Sequence, residues 1–180
     1  MPDITSAHAA SILTYGTSRS GTVVQPGQCY DLANLALTSA GAKSAPNYGT
    51  ITPTANYVWG RALPSLSDAA PADIVQFRGY SATVRTRIDI SEENGDTSFT
   101  DNTQTNTRPH HTAIVQSIGT NGRMTVMEQN VPLGGGVTSV TLYFQSSTSA
   151  TTTTVGTATH VTTVTVTVTG TLWYYRPEIA

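Results

Sequence analysis

A run in which Val and Thr alternate, residues 160–170, "HVTTVTVTVTG", sets the strongest limit on the fold of this chain. Between Val164 and Thr169 the Val side chains fall on one face of an extended chain and the Thr side chains on the other, as a half-buried β-strand requires. A low-complexity linker is the alternative. The aromatic side chains of the following "LWYYRP" need a core to bury them, so we predict an extended Thr-rich β arm leading into a core strand.

Helices are predicted ahead of the strands. Residues 4–15 carry apolar side chains at helical spacing and suit a weak amphipathic helix. A stronger helix is predicted to begin at Cys29, with Asp31 in the first turn, where the helix dipole favours a carboxylate, and with Gly41 as a stop. A further short helix or turn is predicted at residues 55–62, "ANYVWGRA".

Period-two patterns then predict an antiparallel sheet. Residues 72–80 and 83–90 could pair as a hairpin, and residues 91–108 are polar and rich in turn formers, so they are predicted to be a surface loop. The segments "HHTAIVQSIG" and "RMTVMEQNV" are predicted strands joined at Asn121-Gly122, a strong two-residue hairpin signal. Residues 146–159 are predicted to be a Ser/Thr-rich link. The expected fold is one α+β domain over residues 1–180, with insertions at about 91–108 and 133–170.

Composition limits the partners. Charged residues make up 11% of the chain, and nine Lys and Arg against eleven Asp and Glu give a net charge of −2, so the basic surface that nucleic acid requires is missing. No run of about 18 apolar residues predicts a membrane span. The first residues lack the basic and apolar regions of a signal peptide. Low charge and abundant Thr nevertheless favour an extracellular or periplasmic protein, and neither a cofactor nor a metal is expected.

The single cysteine, Cys29, is a candidate nucleophile. A thiol at a helix N-terminus has its pKa lowered by the aligned backbone dipoles and by any adjacent imidazolium, and its own N–H can donate to an oxyanion. The alternative is a buried, unreactive side chain, because free cysteines commonly behave as small apolar residues.

The predicted hairpin supplies possible partners for the thiol. If Asn121-Gly122 form a two-residue turn, Thr120 opposes Arg123, and His111 shares one face with Glu128 and Asn130. His111 would then lie opposite Pro132, with Asn130 as its diagonal neighbour. Polar residues at the ends of two core strands are the alternative, but buried polar groups need partners, and mutual hydrogen bonding would satisfy them.

Four blocks of the sequence, in order, resemble the CHAP family of cysteine, histidine-dependent amidohydrolases and peptidases. They are "GQCYDLANLAL", "YVWGRALPSLSDAAPADIVQF", "PHHTAIVQSIGTNGRMTVMEQNV" and "GTLWYYRP". The resemblance implies a papain-like fold, in which a helix carrying the cysteine packs on an antiparallel sheet carrying the histidine. It departs at Ala72-Asp73 and at Pro109-His110, where the family typically has glycine, and it lacks the acidic residues that precede the cysteine in calcium-binding members.

The resemblance also implies roles for the site residues. Cys29 would be the nucleophile, His111 the general base and acid, Glu128 the group that orients the imidazole, and Asn130 an assisting group. Gln25 or Gln28 would be a second oxyanion donor. The implied activity is cleavage of amide or peptide bonds in peptidoglycan. The alternatives are a cysteine peptidase or acyl transferase acting on protein, and a non-catalytic wall-binding or adhesion module on the same scaffold.

Overall fold

The fold is that of a computed structural model, which describes residues 2–180. Two α-helices are followed by a large antiparallel sheet, so the predicted α+β class, with helices first, is confirmed. The helices and strands are α1 (Ser6–Ser18), α2 (Cys29–Ser39), β1 (Arg61–Leu63), β2 (Ile74–Ser91), β3 (Thr97–Ile118), β4 (Arg123–Glu128), β5 (Thr138–Tyr143), β6 (Ser147–Val155) and β7 (Ala158–Arg176), with short 3₁₀ helices at Ala45–Asn47 and Leu66–Asp68.

The sheet places the long strands at its centre. Its order is β1-β7-β2-β3-β4-β5, with β6 paired to the outer part of β7, and every pair is antiparallel. Both faces of its body are covered. One face packs on α1 and α2 through a core that includes Ile12, Leu37, Trp59 and Ile114. The opposite face curls around a second core, which includes Phe77, Tyr80, Met124, Leu142 and Phe144.

The predicted helices α1 and α2 form close to their expected positions. α2 begins at Cys29 and ends at Ser39, and four of its side chains, Leu32, Ala33, Ala36 and Leu37, are buried against the sheet. Gly41 follows the helix with a φ of 75°, a left-handed conformation that glycine adopts without a steric penalty. The buried stripe fixes the rotation of α2, and hence the direction in which its first residue points.

The helix or turn predicted for residues 55–62 is not observed as a helix. The chain is extended there, and Arg61–Leu63 form β1 beside β7. Tyr57 and Trp59, two positions apart, are both buried and pack against Tyr30 of α2, with ring centroids 5.2 and 5.3 Å from the Tyr30 ring. This two-residue spacing of large aromatic side chains is satisfied by an extended chain and not by a helix.

Two further predictions are wrong in the same region. The strands predicted at 72–80 and 83–90 do not pair as a hairpin but are parts of one continuous strand, β2. The glycine between them, Gly79 (φ 61°), lies at a bulge where the register with β7 shifts. The surface loop predicted for 91–108 is mostly the first half of β3, which pairs with β2 in constant register from Ser91↔Thr97 to Ile74↔Ile114. Polar side chains are tolerated there because this part of the strand is exposed to solvent.

The Thr-rich arm is a four-stranded sheet. We define the β arm as residues 81–107 and 147–169; it comprises the outer parts of β2, β3 and β7 together with β6. The predicted Ser/Thr-rich link at 146–159 is therefore wrong, since most of it is β6, which turns back into β7 at Val155↔Ala158. The predicted extended arm of Val and Thr is confirmed. No helix within residues 2–180 is long and apolar enough to cross a membrane.

The hairpin between β3 and β4 exists, but its predicted register is wrong. The Gly119 N–H donates to the Arg123 carbonyl at 2.9 Å, so the turn holds three residues instead of two. A bulge between Val115 and Ser117 adds a second one-residue shift. His111 does not lie opposite Pro132, because β4 ends at Glu128. The two shifts cancel in their effect on which face each side chain occupies, so His111 and Glu128 still meet.

Candidate active site

The thiol of Cys29 lies at the first residue of α2. The backbone N–H of Gln28 donates to Asp31 Oδ2 at 2.6 Å, and the Gln28 carbonyl accepts the Asp31 N–H at 3.0 Å. Asp31 is therefore both a helix cap and a negative charge in the first turn, where the helix dipole favours it. These contacts fix the helix start and hold the thiol, half-buried, at the positive end of α2.

The loop that leads to Cys29 is clamped by Gln129, a residue that follows β4 and is completely buried. Its Oε1 accepts the Val24 N–H at 2.9 Å, and its Nε2 donates to the Val24 carbonyl at 2.9 Å and to the Gln28 carbonyl at 2.5 Å. One side chain thus satisfies three backbone groups that would otherwise be buried without partners. Gln129 is not among the site residues predicted from the sequence, although it lies between two of them.

His111 comes from β3 and is only 5% exposed. Its side chain interacts with the thiol of Cys29, and its Nε2 lies 2.9 Å from Glu128 Oε2. This last contact is a close approach of the imidazole to the carboxylate and not a linear hydrogen bond, because Nε2 has no partner in hydrogen-bond geometry within residues 2–180. The ring packs on Phe77, with 5.9 Å between centroids. The structure therefore brings together three of the four residues predicted from the sequence: Cys29 and His111 line the same cleft, and the imidazole lies beside the Glu128 carboxylate.

Glu128 has a second partner, Arg108, which is not among the site residues predicted from the sequence. Arg108 Nε donates to Oε2 at 2.8 Å and Nη2 to Oε1 at 2.5 Å, while Nη1 donates to the Thr107 carbonyl at 2.7 Å. Arg108 is only 5% exposed to solvent, and Glu128 only 1%. Such a two-bonded arginine fixes the plane of the carboxylate as well as its position. The orientation of Glu128 toward His111 is therefore set by Arg108.

The pKa values of the three site residues shift in the directions that favour an ion pair. Burial raises the pKa of the Cys29 thiol, but His111 and the backbone N–H groups at Thr112 and Tyr30 lower it by more, and the net pKa is lowered. Burial lowers the pKa of His111, but Cys29 and Glu128 together raise it above its usual value. Burial likewise raises the pKa of Glu128, and His111 and Arg108 more than offset this. A thiolate beside an imidazolium is the protonation state that these shifts favour.

Asn130, which was expected to assist the imidazole of His111, has its hydrogen-bond partners elsewhere. Its φ is 68°, and its backbone N–H donates to the Gly135 carbonyl at 2.8 Å. The side-chain oxygen accepts the Gly134 N–H at 2.6 Å, and Nδ2 lies 3.5 Å from Gln28 Oε1. Asn130 therefore braces the loop of residues 130–135 and reaches toward the residue before the thiol.

An open cleft of about 650 Å³ gives access to the thiol. One wall is the segment 51–57, where Tyr57 donates to the Thr52 carbonyl at 2.8 Å and His110 Nε2 lies 2.8 Å from the Ala55 carbonyl. The other wall is residues 130–133, ending in Leu133, which is 90% exposed. No carboxylate within residues 2–180 lines this cleft. Its lining residues are Gln28, Cys29, Tyr30, Ile51, Thr52, Pro53, Tyr57, Thr107, Arg108, Pro109, His110, His111, Asn130, Val131, Pro132 and Leu133.

The two glutamines considered as oxyanion donors differ in position. Gln28 lines the cleft beside Cys29, and its Oε1 faces Asn130, which leaves its Nε2 as a possible donor. Gln25 does not line the cleft. The backbone N–H of Cys29 is one of the first N–H groups of α2, which have no intrahelical acceptor.

No group of three or more His, Cys, Asp or Glu side chains within the described part of the chain could hold a metal ion. Comparison with known proteins found no matching family model, no matching curated protein and no matching solved structure. The function is therefore inferred from the geometry of the cleft together with the sequence motifs.

Proposed function

We propose that this protein is a cysteine-dependent hydrolase that cleaves amide or peptide bonds. The observation that carries the proposal is the arrangement at the open cleft: Cys29, at a helix N-terminus, and His111 both line it, and Glu128 lies behind His111, 2.9 Å from its Nε2. Nucleophilic catalysis by a thiol needs a thiolate, an imidazole to move the proton, and a group that fixes the imidazole. All three groups are present at one site, and the directions of the pKa shifts of Cys29 and His111 favour the reactive ion pair.

In the proposed mechanism the thiolate of Cys29 attacks the carbonyl carbon of the scissile amide. The carbonyl oxygen becomes an oxyanion, which accepts the Cys29 N–H and, as a second donor, Nε2 of Gln28. His111, protonated at the start, gives its proton to the leaving nitrogen, and the C–N bond breaks to leave a thioester. His111 then takes a proton from water, which attacks the thioester. The collapse of that intermediate releases the carboxylic acid and restores the thiolate and the imidazolium.

The papain-like arrangement is part of this proposal. α2, which carries the thiol, packs on the antiparallel sheet through the core around Leu32 and Leu37, and β3 of that sheet carries the imidazole. This is the relation of helix to sheet that the CHAP-like sequence blocks imply. It supports the assignment to a papain-like fold through the layout of the two catalytic groups.

Peptidoglycan is the substrate that we propose, acted on outside the cytoplasm. The order of the sequence blocks that resemble the CHAP family supports this choice. The cleft is also consistent with uncharged groups on both sides of the scissile bond, because its only arginine, Arg108, is engaged by Glu128. A non-catalytic binding module on the same scaffold would instead have an inert Cys29.

Two measurements test the proposal. The wild-type protein should release new amino groups, or peptides that carry no sugar, from purified sacculi, and Cys29→Ala should not. Undiminished release by Cys29→Ala would contradict the proposed function. Iodoacetamide near pH 6 should alkylate Cys29 quickly, because the pKa of this thiol is lowered. An ordinary thiol, with a pKa of about 8.5, is almost fully protonated at that pH and should react slowly. His111→Ala should slow this alkylation, whereas His160→Ala, a histidine on the β arm, is the matched control and should not.

A further inference from the structure

The walls of the cleft carry apolar side chains that are exposed to solvent. Leu133 is 90% exposed and Ile51 is 36% exposed, and both line the cleft that contains the Cys29 thiol. Among the exposed large apolar side chains of residues 2–180, these two alone line this cleft, and Leu133 is the most exposed of all. The exposed apolar lining is extended by three prolines, Pro53, Pro109 and Pro132. An exposed apolar lining of a cleft that holds a nucleophile indicates a binding surface.

The wall of residues 51–57 is held in place by contacts to its own backbone. Arg78 Nη2 donates to the Thr54 carbonyl at 2.5 Å, and His110 Nε2 lies 2.8 Å from the Ala55 carbonyl. These contacts engage polar groups of the wall and fix its course without any ligand. The apolar side chains of this wall are therefore already in place at the cleft.

The opposite wall is held by a compact turn. The Gly134 N–H donates to Asn130 Oδ1 at 2.6 Å, and the Gly135 N–H donates to the Pro132 carbonyl at 2.8 Å. Leu133 lies within this hydrogen-bonded turn, so its position at the cleft is fixed although its side chain is almost fully exposed. An exposed leucine gains little from the burial that stabilises a core, whereas a ligand that covered it would gain by removing its surface from water.

The cleft offers no uncompensated charge to a substrate. Arg108 is the only Lys, Arg, Asp or Glu that lines it within residues 2–180, and its guanidinium is paired with Glu128. Burial lowers the pKa of His110, which favours its neutral form. A charged substrate side chain would lose hydration here without gaining a counter-charge, and an aliphatic side chain would have no such loss.

We propose that Leu133 and Ile51 are specificity-determining residues, which select substrates with an aliphatic side chain next to the scissile amide. The inference rests on the proposed hydrolase and adds the class of amino acid that flanks the bond. Contact with the two exposed side chains would bury apolar surface of both partners, and the fixed walls mean that little ordering is required on binding. Acidic or basic side chains at the same position are disfavoured because the cleft has no charge to pair with them.

Recognition by the cleft is tested with chloromethyl ketones of N-acetylated leucine, glutamate and lysine. The thiolate of Cys29 displaces chloride from each reagent and forms a C–S bond, which mass spectrometry detects. Each rate is divided by the rate of the same reagent with 2-mercaptoethanol and by the rate of iodoacetamide with the protein, so that the quotient reports recognition and not thiol reactivity. The leucine reagent should react about tenfold or more faster than the glutamate and lysine reagents on this corrected scale.

Substitution of the two wall residues tests their role directly. Leu133→Ser with Ile51→Ser should lower the corrected preference for leucine over glutamate by about tenfold, because the apolar contacts are lost and no charge is introduced. The matched control is Val155→Ser with Ile118→Ser, which replaces two exposed apolar side chains outside the cleft and should keep the preference within about twofold. Circular dichroism confirms that both variants are folded.

The outcomes separate this inference from the proposed hydrolase. Equal corrected rates for the three reagents, an unchanged preference in the cleft variant, or an equal loss in the control would overturn the specificity assignment alone. Reaction of Cys29 with iodoacetamide near pH 6 no faster than that of an ordinary thiol would refute the hydrolase and the inference together. If a second copy of this chain covers Leu133 instead, the cleft variant would change the sedimentation of the protein and leave the preference unchanged, which would also overturn the assignment.

Discussion

Arg108 and Glu128 form a two-bonded ion pair that is almost completely buried, and the same carboxylate lies 2.9 Å from the imidazole of His111. The pair therefore connects the stability of the domain to the state of its candidate active site. Removal of either charge would leave the other buried without its two-bonded partner.

Replacement of Arg108 by Met should destabilise the protein by about 3–5 kcal/mol, because it leaves the Glu128 carboxylate buried and unpaired apart from His111. Chemical denaturation measures the free energy of unfolding. Arg85→Met is the matched control, because Arg85 also pairs with an aspartate, Asp101, but in an exposed position on the β arm. Its effect should be far smaller. Equal losses for the two variants would show that burial of the Arg108 pair is unimportant.

The contribution of Glu128 to stability should disappear in acid. Its pKa is lowered on folding, so the stabilisation is present above the unfolded value of about 4.3 and is lost as the pH falls through the lower folded pKa. Wild-type protein and Glu128→Gln should therefore differ most in free energy of unfolding near pH 6 and converge toward pH 3. A difference that grows on acidification would contradict the direction of the shift.

Glu128→Gln should also lower the reactivity of the thiol. Loss of the carboxylate removes one of the interactions that raise the pKa of His111, and a less charged imidazole lowers the pKa of Cys29 by less. The pH profile of alkylation by iodoacetamide should move to higher pH. The substitution keeps the size of the side chain, so a profile that stays in place would mean that Glu128 does not influence the ion pair.

Asn130→Ala should have a smaller effect on that alkylation profile than Glu128→Gln. Asn130 is bonded to Gly134 and faces Gln28, and its polar atoms are not on the His111 ring. Its left-handed backbone, at a φ of 68°, should instead make Asn130→Ala less stable than Asn130→Gly. A shift of the thiol profile as large as that of Glu128→Gln would restore the assisting role predicted from the sequence.

Gln129→Ala should destabilise the protein by at least about 2 kcal/mol, because it leaves the buried polar groups of Val24 and Gln28 without partners. Gln104→Ala, an exposed glutamine of the β arm, is the control for the loss of a carboxamide and should unfold like the wild type. If Gln129→Ala matched this control, the clamp on the loop before Cys29 would be unimportant.

The sequence predicted the helix that presents Cys29 and the face shared by His111 and Glu128. The helix was predictable because capping and apolar spacing are local. The face was predicted correctly although the turn and the strand each held one residue more than expected, since a period of two is restored by two shifts. A single unrecognised shift would have placed Glu128 on the wrong side.

Arg108 and the outer half of β3 could not be predicted in the same way. No layer covers residues 97–107, which are polar on both faces except for Phe99, so they lack the alternation that identifies a half-buried strand. Only pairing with β2, a non-local property, shows that Arg108 lies on the face of Tyr80 and points toward Glu128. A polar strand and a polar loop have the same local pattern, and the residue that orients the carboxylate lies within that ambiguous segment.

The tripeptide Glu128-Gln129-Asn130 serves three different neighbours with three consecutive side chains: the imidazole, the loop before the thiol, and the wall loop of the cleft. Substitutions here would act one at a time, but a change of length would not. Deletion of one residue from the end of β4 would bring the Gln129 carboxamide to the position of the carboxylate at His111 and would release the clamp at the same time. The spacing of these three positions is thus a tighter constraint on variation, natural or engineered, than the identity of any one of them.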